Sequence, residues 1–134
     1  FRIEGTKAVK VATLASADRD PWAKAGVPKP EFLRIKAADG ETELYGVLWK
    51  PSDFDPAKKY PLVVATYGGP FFATISARVQ GPRAECEFGV IVASIDNRGT
   101  PAPRGRDWRK CVHRQVGILA PREQAEALRA LLAR

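Results

Sequence analysis

The sequence predicts an α/β fold, and three features carry this prediction. Two apolar runs, 62–67 and 90–95, show no alternation of apolar and polar residues, which is typical of parallel strands buried on both faces. An Asp-Gly pair at 39–40 stands between two alternating runs, a pattern that indicates a β-hairpin. Residues 121–134 carry apolar side chains at helical spacing. Together these features predict a sheet covered by helices.

The first 27 residues are predicted to form a unit of their own (1–27) ahead of the main body, residues 28–134. Residues 1–14 alternate apolar with polar or small side chains, which predicts two short, half-buried strands. Residues 15–30 contain three prolines and one glycine. We therefore predict a linker there, with a helical turn after Asp20, and the boundary between the two units falls within it.

The main body begins with the predicted hairpin, whose strands we place at 32–37 and 43–49. Alternation along the second strand places Val47 and Trp49 on one face and Leu44 on the other. Tyr45 shares the face of Val47 and Trp49, and Gly46 and Leu48 share the face of Leu44.

The centre of the sheet is predicted after a loop over 50–61. The runs 62–67 and 90–95 are expected to be adjacent, parallel and buried, with the hairpin towards the edge of the sheet. Between the two runs, residues 73–79 and 84–88 are compatible with a crossover helix, which a Gly-Pro pair interrupts.

The C-terminal part predicts two helices after an irregular loop at 100–106. The first is a short helix over 107–116, with Asp107 as its candidate N-cap. The second covers 121–134, and Pro121 suits its first position. The apolar stripe predicted to pack on the sheet consists of Ala125, Leu128, Leu131 and Leu132.

The composition excludes several classes of protein. The 134 residues are 45% hydrophobic, too many for a disordered chain, and no run approaches the roughly 20 apolar residues of a membrane helix. The chain contains no Met, so we expect it to be an internal piece of a longer protein. Cys86 and Cys111 make neither a disulfide framework nor a zinc site by themselves, and Cys111 and His113 would not face each other on a helix. We predict no metal and no cofactor.

The net charge of +7 is concentrated towards the C terminus. We interpret the basic residues as a solvated face with local salt bridges, because Asp96 and Asp107 stand among them. Nucleic acid is not predicted as a partner, since no helix-turn-helix, aromatic platform or zinc pattern accompanies the charge. The basic cluster consists of Arg98, Arg104, Arg106, Arg109, Lys110 and Arg114.

Two polar turns follow the apolar runs, at the strand ends where open α/β sheets bind ligands. They are Tyr-Gly-Gly-Pro at 67–70 and Asp-Asn-Arg-Gly at 96–99. Tyr67 ends its predicted strand, where its phenol O–H can donate to a developing oxyanion; a packing tyrosine is the alternative. The second turn suits substrate binding or a structural role, in which Asp96 caps the turn and Arg98 pairs with a carboxylate.

Four motifs stand in a fixed order between residues 59 and 108. Lys-Tyr-Pro-Leu-Val-Val at 59–64 precedes the Tyr-Gly-Gly-Pro turn, and Val-Ile-Val-Ala-Ser-Ile-Asp-Asn-Arg-Gly-Thr at 90–100 precedes Arg-Gly-Arg-Asp-Trp at 104–108. This combination resembles the dipeptidyl peptidase IV branch of the prolyl oligopeptidase family. The resemblance covers about residues 28–134, including the hairpin and the loop that follows it.

The resemblance implies a serine peptidase with an α/β-hydrolase catalytic domain. Residues 28–134 would be the N-terminal portion of that domain, and residues 1–27 the last strands of a β-propeller with its link. The Ser, Asp and His triad would lie downstream of Arg134, so the chain alone is expected to be inactive. The family's side-chain oxyanion donor corresponds to Tyr67, which is therefore the candidate catalytic residue.

The implied activity is the release of N-terminal dipeptides from a peptide substrate, without a cofactor. A homodimer of the longer protein and its compartment are left open. An esterase or acylaminoacyl peptidase on the same scaffold remains an alternative, as does a basic module that binds nucleic acid.

The sequence departs from the family pattern near residue 120. The family has a Glu at the position of Ala120 and Asp-Gln at the positions of Glu123 and Gln124. The missing Glu removes a carboxylate, so we expect Arg98 or Arg104 to lack a usual partner.

Overall fold

A four-stranded mixed sheet carries the core, in the spatial order β3–β4–β6–β5. The strands are β3 (Glu31–Lys36), β4 (Glu43–Trp49), β5 (Leu62–Val64) and β6 (Ile91–Asp96). β4 runs antiparallel to both β3 and β6, whereas β5 and β6 are parallel. The α/β fold, the parallel pair and the hairpin at the sheet edge are therefore confirmed. The structure, a computed structural model, describes residues 1–16, 18, 20–76, 78 and 80–133.

The two faces of β4 bury different clusters, as the alternation predicts. On one face, Leu44 and Leu48 pack with Ile95 and with Ala127 of α3 (Leu119–Leu132). On the opposite face, Val47 and Trp49 pack with Val92 of β6 and with Cys86. Both faces of the sheet centre are thus covered, which is the physical basis of the continuous apolar run in β6.

The close approach of β4 to β6 depends on Gly46. A Cβ added to Gly46 would lie 2.8 Å from the carbonyl oxygen of Ser94 and 3.2 Å from the Ile95 side chain. Because the nearest atom belongs to the backbone of a central strand, it has little freedom to move.

We expect Gly46→Ala to lower the free energy of unfolding by about 1–3 kcal/mol, because the two strands must separate locally. Gly81→Ala is the matched control, since the nearest atom to its added Cβ is a Trp22 ring carbon at an ordinary 3.5 Å. Urea unfolding measures both. Equal stability of the two variants would show that the strands adjust without cost.

The N-terminal strands differ from the prediction. β1 (Arg2–Glu4) and β2 (Lys7–Val9) form an antiparallel hairpin, but all six residues are exposed. The predicted half-burial is wrong, because a two-stranded ribbon has no second layer of its own to bury a face. The helical turn expected after Asp20 is present as α1 (Asp20–Lys24).

The first apolar run forms a shorter and more exposed strand than predicted. β5 ends at Val64 rather than at residue 67, and Val63 is 45% exposed. The reason is its place at the edge of the sheet, where β6 is its single strand neighbour among the residues that the structure describes. By contrast, β6 lies between two strands and is buried over five of its six residues.

The segment between β5 and β6 contains a 3-10 helix over Ala84–Phe88 instead of a crossover α-helix. The second stretch of the predicted crossover is therefore helical, although in the tighter form. Of the first stretch, 73–79, residues 77 and 79 lie outside the described residues, and the remaining positions carry no helix.

The two C-terminal helices begin earlier than predicted. α2 (Gly105–Lys110) has Arg104 at its N-cap, and Asp107 lies in its first turn instead of capping it. α3 begins at Leu119, so Pro121 is its third residue. A proline is tolerated there because the first N–H groups of a helix have no partner within the helix. Over the described residues, no helix is both long and apolar enough to cross a membrane.

The buried face of α3 is more polar than predicted. Ala125 and Leu132 of the predicted stripe are exposed, and Leu128 and Leu131 are partly buried. The prediction is therefore wrong for half of the stripe. The buried positions of α3 are Ala120, Glu123, Gln124 and Ala127.

Candidate functional site

The two polar turns meet at one edge of the sheet. β5 and β6 are parallel, so the turns that follow them lie on the same side. The side-chain amide of Asn97 donates to the carbonyl oxygen of Gly68 at 3.4 Å. Gly68 has a φ of +72°, and a Cβ on it would lie 3.3 Å from Ala120 of α3. The first turn therefore rests on the second turn and on the start of α3.

Tyr67 lies in the loop three residues beyond β5, so the expectation that it ends the strand is wrong. The side chain is 51% exposed at the predicted edge. Its ring packs edge-to-face on Phe72, with centroids 6.0 Å apart. A Cβ added to Gly69 would also lie 3.0 Å from the Tyr67 ring. The ring therefore occupies a slot that a glycine leaves open.

The Tyr67 hydroxyl accepts and donates no hydrogen bond within the described part of the chain. Tyr67 lines a cleft of about 840 Å³, whose walls also include Trp49, Phe72, Thr74 and Arg83. The Trp49 indole N–H donates to the Gly81 carbonyl at 2.7 Å, which places that ring firmly in the wall. A phenol without a partner beside an open cleft is chemically able to donate to a bound oxygen atom.

Asp96 holds a neighbouring segment rather than its own turn. Its two carboxylate oxygens accept the N–H groups of Thr74 and Ile75, each at 2.8 Å. The predicted capping of the 96–99 turn, and the predicted salt bridge to the arginines around it, are therefore wrong. Ser94 adds a second link to this segment, because its hydroxyl lies 2.8 Å from that of Thr74.

Arg98 forms an ion-pair network, so the structural interpretation of this residue is confirmed. Its guanidinium contacts Asp39 at 2.8 Å and also binds Glu123, whose second oxygen accepts the Arg98 backbone N–H at 2.8 Å. Burial alone would lower the pKa of Arg98, but the hydrogen bond to Glu123 and the charges of Glu123 and Asp39 raise it on balance. The expectation that Arg98 lacks a partner is wrong.

Arg104 is held by different contacts. It donates to the backbone carbonyl of Glu43, and its guanidinium stacks over the rings of Trp108 and Tyr45 at 4.0 and 5.2 Å. No carboxylate pairs with Arg104 among the described residues. Arg104, and not Arg98, is therefore the arginine that lacks the expected carboxylate partner. Stacking and the carbonyl take the place of an ion pair.

Sequence reasoning missed the role of Glu123 and Gln124. Both are buried although they are polar, and both reach the second turn. Gln124 donates to the Ile95 carbonyl at 2.7 Å and to the side-chain oxygen of Asn97 at 3.1 Å. The signal in the sequence that could have shown this role is the adjacent Glu-Gln pair in the first turns of the helix.

Asp39 closes the hairpin at the far end of the Arg98 network. It accepts hydrogen bonds from the Thr42 hydroxyl at 2.7 Å and from the N–H groups of Thr42 and Glu41 at 2.8 and 3.0 Å. These bonds, with a smaller contribution from the charge of Arg98, hold the pKa of Asp39 well below its ordinary 3.8.

A carboxyl group with a lowered pKa in the folded state stabilises the fold while it is ionised. We therefore expect the contribution of Asp39 to the free energy of unfolding to be fully present above about pH 4 and to decline as the pH falls below that value. Asp39→Asn should flatten this decline, because an amide does not titrate. Urea unfolding between about pH 2 and pH 7 measures the slope. An equal slope in both proteins would contradict a role for Asp39.

Cys86 is buried and Cys111 is partly buried, and both are free cysteines. No group of metal-ligating side chains is found in the described ranges. Cys111 donates to the Trp108 carbonyl at 3.0 Å, and burial raises the pKa of the thiols of both Cys86 and Cys111. A raised pKa leaves a thiol protonated and unreactive.

The fold is an open α/β sheet, and the 67–70 and 96–99 turns lie together at the edge where sheets of this kind generally bind ligands. No protein-family model matches the chain. It is 34% identical over 110 residues to human dipeptidyl peptidase 8, covering 78% of this chain and 12% of that protein. Among solved structures, a dipeptidyl aminopeptidase IV-type protein of Bacteroides ovatus matches 90% of this chain and 17% of its own length, with a TM-score of 0.72 and 32% identity.

Dipeptidyl peptidase 4 of Porphyromonas gingivalis gives a TM-score of 0.70 and 34% identity, covering 78% of this chain and 15% of that chain. The chain belongs to the dipeptidyl peptidase IV branch of the prolyl oligopeptidase family. It spans 12% of the length of human dipeptidyl peptidase 8 and 18% of a probable dipeptidyl peptidase 4 of Trichophyton verrucosum.

Proposed function

We propose that this chain is the N-terminal portion of the α/β-hydrolase domain of a serine exopeptidase that removes dipeptides from peptide N termini. The proposal assigns residues 28–134 to that domain and residues 1–27 to the end of a β-propeller and its link. The observation that carries it is Tyr67, which lines an open cleft and whose hydroxyl has no hydrogen-bond partner in the described part of the chain, in a chain related to dipeptidyl peptidases.

Tyr67 has the role of oxyanion donor in this proposal. In the longer protein, a serine attacks the scissile carbonyl, a histidine takes its proton, and an aspartate orients the histidine. These three residues follow Arg134 in the longer protein, and the present chain by itself is inactive. The phenol stabilises the negative charge that develops on the carbonyl oxygen, together with a backbone N–H.

Three structural features of Tyr67 support this role. The loop lies beyond the carboxyl end of a parallel strand, where α/β proteins bind their ligands. The hydroxyl has no competing partner among the described residues, and the ring is confined by its contact with Phe72 and its close approach to Gly69. A confined donor costs less reorganisation when the charge appears than a mobile one.

The full-length protein tests the proposal with three chromogenic substrates. These are a dipeptide anilide with a free amino end, the same anilide with an acetylated amino end, and a simple aryl ester. We expect turnover of the free dipeptide anilide and labelling of one serine by a fluorophosphonate probe.

The other outcomes separate the alternatives. Turnover of the acetylated anilide in preference to the free one would identify an acylaminoacyl peptidase, and turnover of the ester alone an esterase. Absence of serine labelling in a folded protein would exclude the serine-hydrolase mechanism altogether.

A further inference from the structure

Asp96 is a buried carboxylate whose partners are backbone amides. It is 7% exposed, and no cation pairs with it in the described part of the chain. A buried charge is costly unless hydrogen bonds compensate it, and here the two N–H groups of 74–75 supply that compensation at 2.8 Å each. Charge-assisted bonds of this kind are about twice as strong as neutral ones. The position of 74–75 is therefore tightly tied to the end of β6.

The segment that Asp96 holds leads back to Tyr67. Phe72 lies two residues before the first amide bound by Asp96, and its ring meets that of Tyr67 edge-to-face. On the upstream side, the Ser94 hydroxyl donates to the Ala65 carbonyl at 2.9 Å. The loop that carries Tyr67 is thus attached to β6 before and after the tyrosine.

We propose that Asp96 is a positioning residue for the Tyr67 hydroxyl. It fixes the backbone at 74–75, which places Phe72, and Phe72 sets the orientation of the tyrosine ring. The inference rests on the proposed function, because the orientation affects turnover only where Tyr67 donates to the oxyanion.

Asp96→Asn in the full-length protein tests the proposal with almost no change in shape. An amide has one acceptor oxygen, so one of the two backbone N–H groups loses its acceptor and faces an NH₂ group. We expect kcat to fall by about 10- to 100-fold, as misplacement of a catalytic group by up to about 1 Å does, with KM changing by less than about 3-fold.

The double variant Tyr67→Phe/Asp96→Asn separates positioning from a general structural role. If Asp96 acts through the tyrosine hydroxyl, adding Asp96→Asn to Tyr67→Phe should lower kcat by less than about 3-fold more. A full, multiplicative loss in the double variant would overturn the proposal, because Asp96 would then act independently of the hydroxyl. An unchanged kcat in a folded Asp96→Asn single variant would overturn it as well.

Two further variants keep the test decisive. Asp55→Asn is the control, because it also replaces a carboxylate that accepts a backbone N–H with an amide. The carboxylate of Asp55 accepts the Ala57 N–H at 2.9 Å. Asp55 lies in the loop before β5, at the end of the strand opposite to Tyr67. It should leave kcat unchanged.

If Asp96→Asn does not fold, Phe72→Leu replaces it, since Phe72 is exposed. The effects of Phe72→Leu and Tyr67→Phe on kcat should not be additive. Additive effects would overturn the proposal.

The Tyr67→Phe and Asp96→Asn variants together distinguish failure of this inference from failure of the proposed function. An unchanged kcat in Tyr67→Phe would remove the oxyanion role and the positioning role together. A loss of kcat in Tyr67→Phe, combined with an independent effect of Asp96→Asn, would overturn the positioning role alone.

Discussion

Tyr67→Phe in the full-length protein is expected to lower kcat by about 10²–10³-fold, equivalent to roughly 3–4 kcal/mol of transition-state stabilisation. The substitution removes the hydroxyl and retains the ring, which packs on Phe72 and fills the slot at Gly69. KM should change much less, because the hydrogen bond strengthens as charge develops on the carbonyl oxygen. Steady-state kinetics on a dipeptide anilide measures both constants.

Tyr60→Phe is the matched control for this variant. Its hydroxyl accepts the Asp55 N–H at 2.8 Å in the loop before β5, so the substitution removes a tyrosine hydroxyl at the opposite end of the strand. We expect near-normal kcat for Tyr60→Phe. Near-normal kcat for Tyr67→Phe as well would make Tyr67 a packing residue, which is the alternative to the role of oxyanion donor.

Glu123→Gln is expected to lower the free energy of unfolding by roughly 3 kcal/mol, the lower end of the cost of breaking a buried ion pair. Glu123 is fully buried, and its two oxygens bind the guanidinium and the backbone N–H of Arg98. The neutral amide has one acceptor and leaves part of Arg98 unsatisfied. We expect the lower end of this free-energy range because the ion pair between Arg98 and Asp39, at 2.8 Å, remains in the variant. Urea unfolding followed by tryptophan fluorescence measures the loss.

Glu126→Gln, on the same helix, is the control for burial. Glu126 pairs with Arg129 at 2.6 Å, but their side chains are 42% and 74% exposed. An exposed pair of this kind contributes less than about 1 kcal/mol. Similar losses in the two variants would show that burial of Glu123 adds nothing to its pairing with Arg98.

The parts of the fold that local chemistry controls were predictable from the sequence. The Asp39-Gly40 turn produced the expected hairpin, because the aspartate binds the next amides and glycine accepts a φ of +75°. Alternation assigned the faces of β4, and the continuous apolar run identified β6 as a central strand. The order and spacing of the two polar turns located the edge at which Tyr67 lies.

The sequence pattern was least informative where a residue's surroundings come from distant parts of the chain. The first apolar run predicted a buried strand, but its place at the sheet edge made β5 short and partly exposed. Half of the apolar stripe predicted for α3 is exposed, because burial on this helix follows hydrogen bonding as well as hydropathy.

By itself, the sequence determined the α/β class, the hairpin, the central strand and the family to which the motifs belong. Only the tertiary structure decided that Glu123 binds Arg98 across 25 residues and that Asp96 binds the amides of 74–75 across 21 and 22 residues. The physical reason is that a polar side chain becomes stable in the interior only when its partners arrive there with it. Periodicity records which positions are apolar, whereas the partners of a buried carboxylate are fixed by how the strands and helices pack.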